Sequence, residues 1–368
     1  MSNTINTNTD TKKARFFEIS LLNVFFCMLV IFIHVSSKPV TSLDKNAWQY
    51  FAVMIPWRLS GFVVQGFIFL SGLKLFLNKS NGFVYHKFLF KRFFSIILPY
   101  IAWVFVYYIY FCMNNYFPFR ITDLIKYIFF GNLVSHFYFI IIIAQFYILL
   151  PLFIKLTKKT NPVILILFAL MATIILGQNL PNVIDIFIPD YYFKYNDRIF
   201  TTYLIYWILG CYAGLYYEKF KDILSENRII ISVIFCVSSI GDGFLSYLNF
   251  GGKKSIHWLE NVHVMYCLSA IIFFYMIAVC FTNKRQFNRE TLVIKFLKNV
   301  DKTSYGIYLS HILVIFIVDN YLAEYNIKSI GISYLIRICA VYTFTIGILL
   351  IWRSIKEALG KKLPFRAK

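Results

Sequence analysis

The first apolar segment of the chain carries two side chains that could do chemistry, Asn23 and His34. They are eleven residues apart, about three helical turns and roughly 16 Å, so a helix would place them on nearly the same face at two depths. Histidine titrates near neutral pH, and His34 could therefore act as a general base that takes a proton from an acceptor hydroxyl. The alternative is an ordinary histidine at a membrane surface, hydrated by lipid head groups.

Other candidate side chains stand in later apolar segments. Arg58 begins the second segment and His136 the fourth. With His34 they could hold an anionic or sugar-like acceptor, although side chains that only reach for the membrane surface would give the same pattern. In the ninth segment, Tyr308 and His311 are three residues apart and share a helical face. His311 is either a hydrogen-bonded packing residue or a residue that contacts substrate.

A cluster of basic side chains precedes the third apolar segment. The sequence YHKFLFKRFFSIILPY contains His86, Lys87, Lys91 and Arg92 just before Pro99. Such a cluster could bind the phosphates of a nucleotide-like donor. The preference of basic residues for the cytoplasmic side of a membrane protein would also place it there.

The composition shows which elements must position these residues. The chain is 59% hydrophobic, 20% aromatic and only 15% charged, beyond what a soluble globular protein can bury. We therefore predict an all-α, polytopic integral membrane protein of about ten transmembrane helices. The predicted spans are residues 16–36, 54–77, 93–113, 134–154, 162–178, 199–217, 229–248, 262–282, 304–322 and 331–352.

The distribution of Lys and Arg supports this series of spans and gives its orientation in the membrane. Alternate connections hold 26 of the 37 basic residues and the others hold 9, which predicts that both termini are cytoplasmic. We predict a disordered cytoplasmic tail at 1–15, a transmembrane domain at 16–354 and a basic cytoplasmic tail at 355–368. The net charge of +20 lies in short clusters between apolar runs, so it does not indicate nucleic-acid binding.

The seven cysteines indicate no metal centre. All fall in or beside apolar segments, without a CxxC pair or metal-ligand spacing. We expect buried structural thiols, no metal site and no permanently bound cofactor.

Several segments, in their order and spacing, resemble membrane-bound acyltransferase family 3, whose members O-acylate surface polysaccharides and related glycans. They are IFIHV in the first span, GFIFLSGLKLF in the second, FLFKRFFSIILPY before the third, SHFYFIIIIAQFYILLPLF in the fourth and SYGIYLSHILV in the ninth. The resemblance implies transfer of an acyl group, often acetyl from acetyl-coenzyme A, to a hydroxyl of a lipid-linked or extracytoplasmic sugar. The expected partners are therefore acyl-coenzyme A, a glycan acceptor and the lipid bilayer of the plasma membrane.

The resemblance also implies roles for single residues. His34 falls on the family's functional histidine, Arg92 beside Lys91 on a basic position associated with donor binding, and Tyr308 and His311 on the ninth-helix pattern. Two positions depart from the family, because Asn23 and Ser95 stand where arginine is usual. Asn23 still offers hydrogen bonds to a substrate, and Lys74 is a candidate replacement for the missing cation at the donor site.

Because Asn23 departs from the family pattern, a second function is also possible: the protein could be a non-catalytic membrane component of exopolysaccharide export. A third possibility, a secondary transporter, predicts paired broken helices, and the sequence offers only scattered prolines such as Pro56, Pro99 and Pro151.

Overall fold

The computed structural model describes residues 17–77, 83–189, 193–284 and 291–362. These ranges contain helices and no strand, which confirms the all-α prediction. The predicted tail at 1–15 lies outside the described residues, as do the last six residues of the predicted tail at 355–368.

The described residues form fifteen α-helices, numbered here in chain order. They are α1 Phe17–Ser42, α2 Trp48–Leu59, α3 Val63–Leu77, α4 Tyr85–Arg92, α5 Leu98–Met113, α6 Ile121–Phe130, α7 Tyr138–Ile148, α8 Leu150–Lys159, α9 Pro162–Phe187, α10 Leu204–Leu215, α11 Tyr217–Glu226, α12 Arg228–Phe250, α13 Leu259–Lys284, α14 Leu292–Glu324 and α15 Ile330–Lys362.

Each predicted span coincides with one of these helical segments. Within the described ranges, seven helices or continuous helix pairs are long and apolar enough to cross a membrane by themselves. Two bent pairs, α7 with α8 and the two halves of α9, bring the number to nine if each pair is one span. The predicted sixth span is the shorter apolar segment Phe200–Leu215. The polytopic membrane fold is therefore confirmed.

Helix α12 shows why the surrounding solvent must be lipid. Its exposed face carries Ile229, Val233, Val237, Ile240 and Phe244. The residues that it buries include a carboxylate, a glycine and a hydroxyl: Asp242, Gly243 and Ser246. A helix in water buries its apolar face and exposes its polar one, so this arrangement is the one expected in a bilayer.

The two bent pairs were not predicted from the sequence, and each has a proline just after its break. The angle between α7 and α8 is 57°, and the halves of α9 meet at 68° beyond Gly177. Pro181 has no N–H to donate to the carbonyl of Gly177, four residues earlier, and Asn196 donates to that carbonyl instead. Tyr85 donates at 2.7 Å to the carbonyl of Ile148, at the other break. Side chains thus satisfy backbone groups that the bends expose.

The chain forms two compact units, and the first comprises Met1–Val63, Leu224–Ser255 and Ser269–Lys368. In this unit α1 packs against α14 and α15, and α2 packs against α1 and α12. Aromatic contacts fill the space between helices, with the rings of Phe62 and Phe274 stacked at 5.2 Å. The packing of α1 on α14 brings the first and ninth predicted spans together.

The second unit comprises Val64–Ile223 and Ile256–Leu268. Within it, α3 and α10 approach closely where Gly72 and Gly210 lie against the opposite backbone. A Cβ atom on Gly72 would lie 2.8 Å from the carbonyl oxygen of Trp207. Small residues allow such approach between membrane helices, where dispersion forces and not the exclusion of water hold the helices together.

Candidate functional site

The imidazole rings of His34 and His311 face each other in the first unit. His34 lies in the last third of α1 and is partly accessible, whereas His311 lies in the middle of α14 and is fully buried. The two ring centroids are 5.1 Å apart with an interplanar angle of 47°. The helix packing therefore joins two histidines that are 277 residues apart in the sequence.

Backbone carbonyls fix the proton position on His311. Its Nδ1 lies 2.7 Å from the carbonyl oxygen of Tyr308 and 3.1 Å from that of Ile307. Because both partners only accept hydrogen bonds, Nδ1 carries the proton and donates. In the neutral ring, Nε2 then has the lone pair and can accept a proton or a hydrogen bond.

The short distance between the two rings limits the charge that the pair can carry. Two imidazolium charges about 5 Å apart would repel each other by roughly 3 kcal/mol at an effective dielectric constant near 20. The two rings therefore favour a state with at most one positive charge. The predicted role of His34 as a general base is compatible with this geometry and remains a prediction.

The aromatic side chain of Tyr308 completes this face of α14. Its ring centroid is 6.3 Å from that of His311, and it stacks on Tyr305 at 6.2 Å. Tyr308 is partly accessible, so its hydroxyl remains a candidate contact for substrate, as predicted.

Asn23 lies about three turns before His34 on α1 and bonds to an acid that the sequence analysis did not identify. Its Nδ2 donates to Oδ1 of Asp301 at 2.8 Å, and Ser20 donates to Oδ2 at 2.8 Å. Position 23, where the family has arginine, therefore faces a carboxylate. The signal for Asp301 was present in the sequence, as an acid near the start of an apolar span.

A small cavity lies one turn beyond His34 towards the predicted outer side. Its volume is about 260 Å³, and its charged lining comprises Lys38, Asp319, Lys328 and Arg337. Lys38 pairs with Asp319 at 3.2 Å, and the buried Arg337 bonds to the same carboxylate. Because Lys38 follows His34 by four residues on α1, the cavity lies at the same end of the helix as the histidine pair.

Arg58, predicted to bind an acceptor, forms a buried ion pair. Its Nε lies 3.7 Å from Oδ2 of Asp242, a carboxylate with no exposed surface, and its guanidinium packs 5.6 Å from the ring centre of Phe250. Asp242 is the isolated acid of the apolar segment SSIGDGF, another signal that sequence analysis could have used. A contact between Arg58 and substrate remains a prediction.

His136 lies in the second unit, where it is almost fully buried among aromatic rings. Its ring centroid is 4.5 Å from that of Phe137 and 6.1 Å from that of Tyr107. These packing contacts do not test the predicted contact between His136 and an acceptor, which remains a prediction.

The cations predicted to bind the donor also belong to the second unit. Lys91 is exposed on α4, while Arg92 packs its guanidinium between the rings of Phe88 and Tyr147, at 5.1 and 5.2 Å. The Nε atom of Arg92 is buried and has no hydrogen-bond partner among the described residues. A turn of π-helix, Phe93–Ile97, follows directly, an irregularity that is common at functional sites. Lys74 lies in the last turn of α3.

Comparison with known proteins gives a family and distant relatives. The family model of the acyltransferase domain, acyltransferase family 3, matches residues 16–352 of this chain. A "probable poly-beta-1,6-N-acetyl-D-glucosamine export protein" of Staphylococcus epidermidis is 24% identical over 354 residues, which cover 90% of this chain and 94% of that protein. A protein of the same name from Staphylococcus aureus strain MSSA476 is 24% identical over 331 residues, 86% of each chain. No solved structure matches the chain with statistical significance.

Proposed function

Since this chain belongs to the acyltransferase domain family, we propose that it is an integral membrane O-acyltransferase. It moves an acyl group, with acetyl the first candidate, from acyl-coenzyme A to a hydroxyl of a cell-surface or lipid-linked polysaccharide. The acceptor to be tested first is poly-β-1,6-N-acetyl-D-glucosamine, the polymer in the names of the relatives, because each of its sugars retains free secondary hydroxyls. The plasma membrane is the proposed location.

The pairing of His34 with His311 is the observation that carries this proposal. His34 takes the proton of the acceptor hydroxyl as its oxygen attacks the thioester carbonyl. The tetrahedral intermediate then collapses, the C–S bond breaks, and the coenzyme A thiolate leaves and takes up a proton. His311 and Tyr308 position His34 and the acceptor, and a nearby cation or hydrogen-bond donor stabilises the oxyanion as it forms.

Roles for the remaining candidates follow from their chemistry. Lys91, Arg92 and Lys74 are the proposed cations for the phosphates of acyl-coenzyme A. Arg58 and His136 are proposed contacts for the acceptor, and Asn23 offers an amide to bound substrate.

The acyl content of surface glycans tests this proposal in cells. In a deletion strain, we expect ester-linked acyl groups on purified surface polysaccharide to fall. The wild-type gene should restore them, and so should the control His257→Ala, which alters an exposed histidine in the connection before α13. The His34→Ala variant, expressed at the same level, should not. Equal restoration by His34→Ala would exclude His34 as the base.

A second candidate is a non-catalytic component of polysaccharide export. It is supported by the names of the relatives, by Asn23 in place of arginine, and by two bent helix pairs of the kind found in transporters. This function predicts a different result in the deletion strain, namely less exported polymer with an unchanged acyl content per sugar.

A further inference from the structure

We infer that a polar cavity within the second unit is a carbohydrate-binding subsite that holds a short segment of the acceptor glycan. This inference rests on the proposed function, which supplies the glycan. The cavity has a volume of about 400 Å³, within the roughly 300–1,000 Å³ typical of small-molecule sites. Its polar lining includes Gln65, Asn196, Asp197, Glu260 and His263, with the ring of Phe193 beside them.

The cavity has a defined wall, because the bend in α9 and the turns before α10 are tied together. Asn196 donates to the carbonyl that Pro181 leaves without a partner on Gly177. Thr202 donates to the carbonyl oxygen of Asn196 at 2.9 Å, and Tyr203 to that of Asp197 at 3.0 Å. These bonds hold the residues of the wall in place before any ligand binds, which lowers the entropic cost of binding.

Two amide oxygens in this lining require hydrogen-bond donors. Oε1 of Gln65 and Oδ1 of Asn196 are buried, and neither has a hydrogen-bond partner among the described residues. A buried acceptor without a partner destabilises the protein, so a ligand that brings donors is favoured on binding. The carboxylates of Asp197 and Glu260 add further acceptors to the same cavity.

The set of groups matches a sugar better than other ligands. Hydroxyl groups donate to carboxylate and amide oxygens and accept from the imidazole of His263 and the ammonium of Lys194. The apolar face of a sugar ring can pack on Phe193. A phosphate would meet two carboxylates against one lysine, and an acyl chain would bury polar groups without bonds.

The position of the cavity agrees with the predicted topology. Lys194 and the start of α13 belong to connections with few basic residues, which the charge pattern assigns to the outer side. An exported or lipid-linked glycan is available on that side.

Binding of an oligosaccharide to the purified full-length protein tests the inference. The probe is a β-1,6-linked N-acetylglucosamine tetrasaccharide, titrated calorimetrically into protein reconstituted in lipid nanodiscs. We expect Glu260→Gln, Asp197→Asn and Gln65→Met each to weaken binding by about tenfold or more, because each removes an acceptor. The control Glu324→Gln, which alters an exposed carboxylate elsewhere, should bind like the wild type. Melting curves identify any variant that does not fold, and the nearly isosteric Gln65→Met is the variant least disturbed.

The outcomes separate this inference from the proposed function. Unchanged binding by the three cavity variants, or no binding by the wild type, would overturn the subsite even if the protein transfers acyl groups. Binding that depends on the cavity, in a protein without transferase activity, would support the subsite and reject the enzymatic function.

Discussion

Asn23 on α1 donates a hydrogen bond of 2.8 Å to the carboxylate of Asp301 on α14, and Ser20 bonds to the other oxygen of the same group. This contact links the two helices that carry His34 and His311. Asp301 is partly buried and lies three residues before the predicted ninth span, so the hydrogen bonds from Asn23 and Ser20 stabilise its carboxylate where it leaves water. The relationship also explains how an asparagine can occupy a position where arginine is usual.

The Asn23 contact predicts that charge, not size, decides which substitutions are tolerated. Asn23→Asp places two carboxylates within bonding distance, and we expect its thermal midpoint to fall by roughly 5 °C or more. Asn23→Arg should keep the wild-type midpoint because its guanidinium can pair with Asp301. Thermal melting of the purified variants, with the exposed Asn182→Asp as the control, measures both effects. Equal midpoints for Asn23→Asp and the control would contradict the contact.

The buried pair of Arg58 and Asp242 predicts a rescue experiment. Asp242→Ala leaves the arginine charge buried without its carboxylate and should cost about 3–5 kcal/mol of stability. Adding Arg58→Met removes that charge and should restore most of the loss. Melting temperatures of the single and double variants report the result, and a double variant no more stable than Asp242→Ala would argue against the pair.

The cations of α4 predict an effect on the donor alone. Lys91→Ala and Arg92→Ala should each raise the KM for acyl-coenzyme A by about tenfold and leave kcat nearly unchanged, because they remove phosphate contacts. Lys87→Ala removes an exposed charge from the same helix and serves as the matched control. Initial rates at varied donor concentration distinguish them. If Lys87→Ala has the same effect, the cluster acts through its general charge and not as a site.

The packing of α3 on α10 predicts opposite results for two glycines. A Cβ atom on Gly210 would overlap the carbonyl oxygen of Phe69, so Gly210→Ala must separate the helices and should destabilise the protein strongly. A Cβ atom on Gly241 of α12 would meet no described atom within 4 Å, and Gly241→Ala should be neutral or slightly stabilising. Yield and melting temperature of the two variants after detergent extraction check this prediction. Comparable stability for both would contradict the close approach.

The order and orientation of the transmembrane spans could be predicted from the sequence, because segment length, hydropathy and the positions of basic residues are local signals. Residues 17–36 of the predicted span 16–36, for example, are helical within α1, and His34 and Tyr308 lie on helices as expected. The bend in α7–α8 was missed because Pro151 was treated as a scattered proline, and the bend in α9 was missed because the predicted span 162–178 ended before Pro181. Their effect depends on which side chains satisfy the freed carbonyls, and those side chains come from other segments.

The site was harder to predict, because it depends on the register between helices distant in the sequence. Nothing local to α1 shows that His34 faces His311 or that Asn23 faces Asp301. The acids Asp242, Asp301 and Asp319 could have been found, since isolated carboxylates in apolar spans require partners. Those partners could not be named before the helices were packed.

Acyl transfer by the purified protein tests the central claim most directly. Labelled acetyl-coenzyme A and poly-β-1,6-N-acetyl-D-glucosamine are incubated with wild type, His34→Ala, His311→Ala and the control His257→Ala, which alters an exposed histidine. The ester-linked label on the glycan is then counted. We predict that His34→Ala lowers kcat by about 10²–10⁴-fold, that His311→Ala lowers it less, and that His257→Ala matches the wild type. Transfer by His34→Ala at the wild-type rate would contradict the account.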